Sequence, residues 1–544
     1  MGKSIRNFII HDGYMHLPIH PDAVKHYVCV SVDGTQIHEL HLGLSAKPEF
    51  YCAMELNAFH GRAVTLSIDD DAAYLLDGIV QGGPPTVDNP LYPDLYHETL
   101  RPAYHFSSRR GWLNDPNGLF YDSNNYHLYY QHNPYGIQHG GVNVHWGHAI
   151  SPDAVQWMEL DDGIKPPTRA YHIASGSAII DHNGAAGFGA GVVIAAYTAL
   201  GSVDFNRNPP GEGPSFGQFL AYSLDGGNTF TQFPDNPRIK TEDGKSWRDP
   251  RLFALDDGTF AIAVYETNER GNCVSFYHSE NLLDWIQTSR ADDLFECPDL
   301  FPLTVQETGE RLWVLYGADG MYRIGTFESG VFTQTEPPQP LDYGDNTYAG
   351  QTWSGREDKD ARDGRLHISW VRGMGPNNVW NTSMGYEGMP FSQCMSVSCL
   401  LTLHKTAEGY RLFRTPNPAL NALHTGERIS EATANEAHIF LRDPEDILLD
   451  IKSDTPVQFE LDGIQLAYDP ATRMVTFNNK RTVRIRKTDA LRIRLLIDRT
   501  TTELFINDEV SATYGLNTTG KALSVRSEGG QIDWSRQAMR SIWP

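Results

Sequence analysis

The sequence predicts an all-β protein with a β-propeller in its middle, a small β domain before it and a β-sandwich after it. Short runs of alternating apolar and polar residues, each bounded by turn residues, recur from one end of the chain to the other. Long stretches with helical periodicity are hard to find, and the 49 glycines and 32 prolines are dispersed. A weak internal repeat predicts the propeller.

The first domain is expected over residues 1–95. A strand-like run at residues 26–32 leads into the hairpin dipeptide Asp33-Gly34, and a second run at 64–68 follows a turn. A segment rich in Pro and Gly, residues 82–90, separates this domain from the next. We therefore predict a small β-sandwich here.

The propeller is expected over residues 96–410. Three segments, starting at Ser151, Ser223 and Ser279, each carry a Ser-x-Asp or Ser-x-Asn turn that closes onto an aromatic residue. Each follows a strand-like run, as hairpins in successive propeller blades do. Alternating strands in the remaining residues, 411–544, predict a second β-sandwich, which packs against the propeller or carries a sugar-binding face. The β-sandwich domains also offer surfaces for a homo-oligomer.

Charge and composition exclude several classes of partner. The 544 residues carry a formal net charge of −24, whereas phosphate backbones and anionic membranes require a positive surface, so we expect neither partner. The N-terminus lacks the apolar core of a secretion signal, which predicts a cytoplasmic protein, or a secreted one if a leader has been removed. Six thinly spread cysteines without a CxxC pair predict reduced thiols and no metal site.

Three acidic residues stand out because each lies in a turn-forming segment beside aromatic residues. They are Asp115 in a Trp-Leu-Asn-Asp-Pro-Asn-Gly run, Asp249 in Trp-Arg-Asp-Pro and Glu296 in Phe-Glu-Cys-Pro-Asp. Each segment taken alone reads as a simple turn. On a propeller, whose strands converge at one axis, the three together predict a glycosidase that works with two carboxylates.

Six motifs follow one another in a specific order. They are Trp-Leu-Asn-Asp-Pro-Asn-Gly at 112–118, Tyr-Gln-His-Asn-Pro at 130–134, Trp-Gly-His at 146–148, Ser-Gly-Ser at 175–177, Arg-Asp-Pro at 248–250 and Glu-Cys-Pro at 296–298. In order and spacing they resemble glycoside hydrolase family 32, the invertase, inulinase and levanase family. The resemblance spans about residues 100–405, and the segment 498–507 resembles the family's C-terminal sandwich signature. The segment 389–393 resembles bacterial exo-acting members.

The resemblance implies a five-bladed propeller that needs no cofactor and hydrolyses terminal non-reducing β-fructofuranosides with retention. It implies that Asp115 is the nucleophile, forming a covalent fructosyl-enzyme intermediate, and that Glu296 is the general acid and base. Asp249 would stabilise the transition state. The resemblance also implies substrate-binding roles for Asn114, Gln131, Trp146, Ser175 and Arg248.

Two departures from the family pattern bear on specificity. Between Gln131 and Trp146 the family usually places a tryptophan that walls the sugar pocket, whereas the only aromatic ring in residues 137–143 is that of His139. Ala174 stands where the family usually places Phe. Both changes predict a wider or reshaped pocket, and so a substrate that could be an unusual fructoside in place of sucrose. Phe295, in place of the usual Trp, is a milder change.

Other candidate side chains receive plainer interpretations. Cys297 directly follows Glu296 and is a candidate nucleophile. Because no His follows in a pattern that would activate it, we expect it to pack against Glu296. The irregular spacing of His132, His139, His145 and His148 favours hydrogen-bonding roles over a metal site.

The leading hypothesis is therefore an exo-acting β-fructosidase acting on sucrose, fructo-oligosaccharides, inulin or levan. A fructosyltransferase, in which a sugar hydroxyl outcompetes water at the covalent intermediate, is an alternative that the sequence does not separate. A catalytically silent fructan-binding protein is an alternative of another class, disfavoured by the three intact acids.

Overall fold

The computed structural model describes residues 4–68, 72–166, 171–201, 217–241, 245, 247–269, 271–355, 364–373 and 386–544. These residues form an all-β protein, as predicted. The helices in them are one α-helix, Ala73–Asp77, and short 3-10 helices at Asn57–Phe59, Gly141–Asn143 and Pro418–Leu423. No helix in this part of the chain has the length and apolar character that crossing a membrane requires.

The N-terminal β unit consists of strands β1 to β7. Their bounds are β1 Ser4–Ile9, β2 Tyr14–Ile19, β3 His26–Val32, β4 Thr35–Leu42, β5 Phe50–Glu55, β6 Ala63–Ile68 and β7 Val80–Gly82. They form two sheets, ordered β1-β6-β3-β4 and β5-β2-β7. Alternate apolar residues such as Val30, Leu66 and Leu17 point from both sheets into one shared core, as the period of two in the strands dictates.

The middle region contains strands β8 to β31. Their bounds are β8 Gly111–Tyr121, β9 Tyr126–Asn133, β10 His145–Ser151, β11 Met158–Glu159, β12 Tyr171–Asp181, β13 Val192–Gly201, β14 Gly217–Ser223, β15 Thr231–Gln232, β16 Ile239–Lys240, β17 Arg248–Ala254, β18 Phe260–Asn268, β19 Gly271–Ser279, β20 Ile286–Asp292, β21 Asp299–Thr304, β22 Arg311–Tyr316, β23 Met321–Glu328, β24 Val331–Gln334, β25 Gln339–Pro340, β26 Thr347–Thr352, β27 Arg365–Val371, β28 Phe391–Ser392, β29 Cys394–Met395, β30 Cys399–Thr406 and β31 Gly409–Pro416.

Within the described residues these strands form five sheets. Their orders are β11-β10-β9-β8-β28, β12-β13-β14-β15 with β16 on β14, β17-β18-β19-β20, β21-β22-β23-β24 with β25 on β23, and β26-β27-β30-β31 with β29 on β27. The first strands of successive sheets adjoin: β8 contacts β12 and β26, and β17 contacts β12 and β21. We call β8, β12, β17, β21 and β26 the inner strands. Because β31 pairs with β30, the predicted boundary at residue 410 falls inside a strand of the last sheet.

The C-terminal region is one sheet that folds over on itself. Its strands are β32 His424–Phe440, β33 Glu445–Lys452, β34 Val457–Leu461, β35 Ile464–Asp469, β36 Met474–Phe477, β37 Arg481–Arg484, β38 Leu491–Asp498, β39 Thr501–Ile506, β40 Val510–Tyr514 and β41 Ala522–Met539. The long strand β41 pairs with β34 through one half and with β33 through the other. Residues of both halves, such as Phe459 and Leu449, share one core, which gives the sheet the layered packing expected of a sandwich.

A buried ionic cluster joins the C-terminal sheet to the segment that precedes β8. Asp498 accepts hydrogen bonds from the backbone N–H groups of Ala103 and Tyr104 at 2.7 and 3.0 Å. The His105 imidazole lies between Asp498 and Glu503, with Nδ1–Oδ2 and Nε2–Oε1 distances of 2.9 and 3.0 Å. All three side chains are fully buried, so this contact has no competing water. It fixes the C-terminal sheet against the region that carries the predicted active-site residues.

Candidate active site

The three predicted acids come from three different inner strands or their ends. Asp115 lies on β8, where the pairing with β9 shifts register between Leu113 and Pro116. Asp249 lies on β17 at a similar shift, and has a left-handed φ of 61°. Glu296, with φ 48°, lies in the turn that enters β21. An irregularity of this kind turns a side chain out of the regular alternation, which is why bulges often occur beside active sites.

The three acids line one pocket. The pocket has a volume of about 290 Å³ and is formed by Asn114, Asp115, Gln131, His139, His172, Ala174, Ser175, Arg248, Asp249, Phe295, Glu296, Tyr348, Trp370 and Arg372. Its lining combines carboxylates, amides, arginines and aromatic rings. Such a set suits a neutral ligand with many hydroxyl groups and one flat face.

Cys297 connects two of the acids. Its backbone N–H donates to Asp249 Oδ2 at 3.2 Å, and its Sγ lies 3.6 Å from Asp115 Oδ2. The thiol is 2% exposed, and burial, together with the negative charges of Asp249 and Asp115, raises its pKa well above the usual range. A protonated, buried thiol packs and donates weakly, in keeping with the expectation that Cys297 is a neighbour of the acids and not a nucleophile.

Both carboxylate oxygens of Glu296 are engaged. Arg248 Nη2 donates to Oε1, and the Tyr348 hydroxyl donates to Oε2. Arg248 also lies over the ring of Tyr265, at 4.6 Å from the ring centroid, so its guanidinium is held in place from a second side. The carboxyl group of Glu296 therefore has one defined orientation towards the pocket.

Asp115 and Asp249 are difficult to ionise where they lie. Burial raises the pKa of Asp115 to about 7; the Ser175 hydrogen bond opposes this, and the charges of Asp249 and Glu296 add to it. Burial likewise raises the pKa of Asp249 to about 6, against the opposing charge of Arg248. Perturbed acids that share a cleft are typical of functional sites.

Three of the predicted substrate-binding residues, Asn114, Gln131 and Ser175, line the pocket together with Asp115. Ser175 Oγ donates to Asp115 Oδ2 at 2.7 Å, and Asn114 Nδ2 donates to Asp115 Oδ1 at 3.2 Å. Buried polar atoms of the two amides, Asn114 Oδ1 and Gln131 Nε2, have no hydrogen-bond partner among the described residues. Because such groups are normally satisfied, these two point to a polar ligand. The functional roles of all these residues stay predictions.

Trp146 lies behind the pocket and not on its surface. It is fully buried, and its indole N–H donates to the Ala174 carbonyl at 3.0 Å. A Cβ placed at Gly118, whose φ is 55°, would lie 2.9 Å from the Trp146 ring, so only glycine allows this approach. In this arrangement Trp146 supports the strand that carries Asp115 and the backbone next to Ser175.

Sequence reasoning missed four residues of the pocket: His172, Tyr348, Trp370 and Arg372. Tyr348 lies on β26, at a register shift between Tyr348 and Gln351 like those beside Asp115 and Asp249. The Arg372 guanidinium lies 4.7 Å from the centroid of the Tyr348 ring. The one signal that could have found Tyr348 is its place on the inner strand of a sheet, which requires the strand order.

The histidines that invited a metal interpretation make hydrogen bonds. His132 and His145 share Asp162, at 2.9 and 2.8 Å, and His148 lies 3.0 Å from His127. In the described residues no group of three or more His, Cys, Asp or Glu side chains is arranged to hold a metal ion. Asp299, three residues after Glu296, is fully buried and paired with Arg251 at 2.8 Å.

Comparison with known proteins gives the family. Residues 105–416 match the model of the glycosyl hydrolases family 32 N-terminal domain. The chain belongs to glycosyl hydrolase family 32. Among family 32 relatives it is 33% identical to a levanase of Bacillus subtilis over 352 residues, which are 60% of this chain and 48% of the levanase. It is 32% identical to an extracellular exo-inulinase of Meyerozyma guilliermondii over 310 residues, 53% of this chain and 58% of the inulinase. The chain thus spans about half the length of the curated relatives it matches.

Solved family 32 structures share the fold. An exo-inulinase of Aspergillus awamori superposes with a TM-score of 0.70 at 22% identity, covering 82% of this chain and all of that one. A fructofuranosidase of Schwanniomyces occidentalis complexed with fructose superposes with a TM-score of 0.65 at 22% identity, covering 81% of this chain and 98% of that one. The ring of sheets over residues 111–416 is therefore a β-propeller, which confirms that part of the predicted architecture.

Proposed function

We propose that the protein is a retaining exo-β-fructofuranosidase with a five-bladed propeller at residues 96–416, preceded and followed by β domains. The observation that carries the proposal is the convergence of Asp115, Asp249 and Glu296 on one pocket of about 290 Å³. A pocket of this size holds about one sugar ring, which favours cleavage from a chain end. The names of the relatives, levanase and exo-inulinase, support fructans as substrates.

In the proposed mechanism Asp115 attacks the anomeric carbon of the terminal fructosyl unit as Glu296 donates a proton to the leaving oxygen. The bond between the anomeric carbon and the leaving oxygen breaks, and a covalent bond to Asp115 forms. Glu296 then takes a proton from water, whose oxygen attacks the same carbon and releases Asp115. Two displacements on opposite faces give net retention of configuration.

The neighbouring residues have complementary roles in this proposal. Arg248 and Tyr348 hold Glu296 in one orientation, which lowers the entropic cost of reaching a reactive geometry. Ser175 and Asn114 orient the Asp115 carboxylate. Asn114 Oδ1 and Gln131 Nε2, which are unsatisfied within the described part of the chain, bind hydroxyl groups of the sugar. Asp249 accepts hydrogen bonds from the ring hydroxyls as positive charge develops at the anomeric carbon.

The test compares release of fructose from sucrose, 1-kestose, inulin and levan, with Glu296→Gln as the isosteric blank. Hydrolysis of sucrose gives equal amounts of glucose and fructose, whereas an excess of glucose identifies transfer to a sugar acceptor. With methanol as acceptor, retention gives the methyl β-fructofuranoside. A folded protein that binds fructans tightly but releases nothing would refute the proposal and favour a silent binding protein.

A further inference from the structure

The loop between β9 and β10 brings His139 into the pocket. The imidazole of His139 meets the Trp112 ring edge-on, with centroids 5.2 Å apart, and lies 5.3 Å from the ring of His172. Both histidines line the pocket. Burial lowers the pKa of His139 to about 4, and burial with the charge of His139 lowers the pKa of His172 to about 3. At neutral pH His139 and His172 therefore form an uncharged part of the pocket wall.

The same loop is attached to the N-terminal β unit near both of its ends. Asn143, which is 3% exposed, makes two hydrogen bonds of 2.8 Å with the backbone of His41 on β4: its Oδ1 accepts from the N–H, and its Nδ2 donates to the carbonyl. Tyr135 is buried in the core of the N-terminal unit, and Ile137 packs against the same core. The loop thus lies on the N-terminal unit at both of its ends.

Asn133, at the end of β9 in the propeller, also holds the first half of the loop. Its Nδ2 donates to the Gln138 carbonyl at 2.7 Å, and its Oδ1 accepts from the Tyr135 N–H at 3.1 Å. A Cβ placed at Gly140 would lie 2.5 Å from the Asn133 side chain, so the backbone after His139 passes close to it. His139 thus lies in a loop that Asn133 contacts from the propeller and that Ile137 and Asn143 attach to the N-terminal unit.

We propose that the N-terminal β unit forms part of the substrate site: it clamps the β9–β10 loop through Asn143, and so sets the position of His139 in the pocket wall. His139 is then a specificity-determining residue that contacts the sugar, and Asn143 is a positioning residue that acts through His139. This inference rests on the proposed fructosidase function. It gives the N-terminal unit a role in selecting substrates, without a role in the chemical steps at Asp115 and Glu296.

Four variants test this inference: Asn143→Ala, His139→Ala, the double variant and Tyr14→Phe. Tyr14→Phe is the matched control, because it removes a 2.8 Å hydrogen bond from the N-terminal unit to Asp161 of the propeller without touching the loop. We expect Asn143→Ala to raise KM for sucrose about tenfold, as loss of one pocket contact does, with kcat changed by less than about twofold. The double variant should have the same KM for sucrose as His139→Ala, and Tyr14→Phe should have the same KM as the wild type.

An unchanged KM in Asn143→Ala would overturn the inference. So would a double variant in which the effects of the two alanine substitutions on KM add fully, because the effects of residues that act as a unit are not additive. If Asn143→Ala fails to fold, Ile137→Ala serves in its place, with the same expected rise in KM. Hydrogen exchange gives a readout that needs no activity. Amides of residues 136–143 should exchange at least about tenfold faster in Asn143→Ala than in Tyr14→Phe. If the wild type releases no fructose, the proposed function fails, and the exchange comparison alone decides whether the clamp stands.

Discussion

His105→Gln offers a direct test of the cluster that joins the C-terminal sheet to the propeller. Burial alone would lower the pKa of His105, but hydrogen bonds to Asp498 and Glu503 and their charges outweigh it and raise the pKa to about 9. The folded pKa lies about 2.5 units above that of an exposed histidine, which corresponds to about 3 kcal/mol of stability. Because the folded state holds the proton more tightly, this stability is fully present below pH 6.5 and is lost as the pH rises towards 9.

Equilibrium urea unfolding at several pH values between 6 and 9 measures this contribution. At pH 6 the variant should unfold with a free energy about 3 kcal/mol or more below that of the wild type, since it also leaves Asp498 with fewer partners. The difference should shrink as the pH approaches 9, because the wild type then loses the same charge. His404→Gln is the control: His404 pairs with Glu307 at the surface, so its loss should cost less than about 1 kcal/mol. A difference between His105→Gln and wild type that stays constant from pH 6 to 9 would refute a charged His105.

Three predictions concern the proposed active site. Asp115→Asn should lower kcat at least about a thousandfold. It should also raise the melting temperature at pH 8, because a carboxyl group whose pKa is raised by burial destabilises the folded protein once it is ionised. A lower melting temperature would contradict this. The acid limb of the pH profile of kcat/KM should lie near pH 6–7, where Asp115 and Asp249 titrate together. Asp249→Asn should shift this limb to lower pH, because it removes a negative neighbour of Asp115. Tyr348→Phe, which removes the donor to Glu296 Oε2, should lower kcat about 10- to 100-fold with little change in KM; an unchanged kcat would exclude Tyr348 from orienting the acid.

That the three acids stand out as candidate site residues could be predicted from the sequence, because each lies in a short segment with its own turn chemistry. Asp115 and Asp249 precede a proline, and Glu296 lies two residues before one. Tyr348 has no such segment, and only the strand order brings it to Glu296. The sequence likewise shows that Trp146 lies close to the pocket motifs along the chain. It could not predict whether the Trp146 side chain faces the pocket. The structure gives it a buried position, with its indole N–H on the Ala174 carbonyl.

The attachment of the β9–β10 loop could not be predicted for a more basic reason. Asn143 and His41 are 102 residues apart, and the two hydrogen bonds between them use the backbone N–H and carbonyl of His41. Any residue except proline at position 41 would supply the same N–H and carbonyl, so neither the residue type nor a local pattern marks the contact. Its existence depends on how the N-terminal sheets dock beside β9 and β10, which is a property of the tertiary structure.

The two sides of the pocket therefore depend on different parts of the chain. Asp115, Asp249 and Glu296 are positioned by bulges and turns of the inner strands, which belong to the propeller itself. His139 is positioned by a loop whose anchors, Asn143 and Ile137, lie on the N-terminal unit. Changes at the sites where the N-terminal unit holds this loop should thus alter which fructosides bind while leaving the reactive geometry intact, whereas changes to the inner strands should abolish turnover of every substrate. A division of this kind allows substrate preference to be modified without loss of the proposed catalytic chemistry.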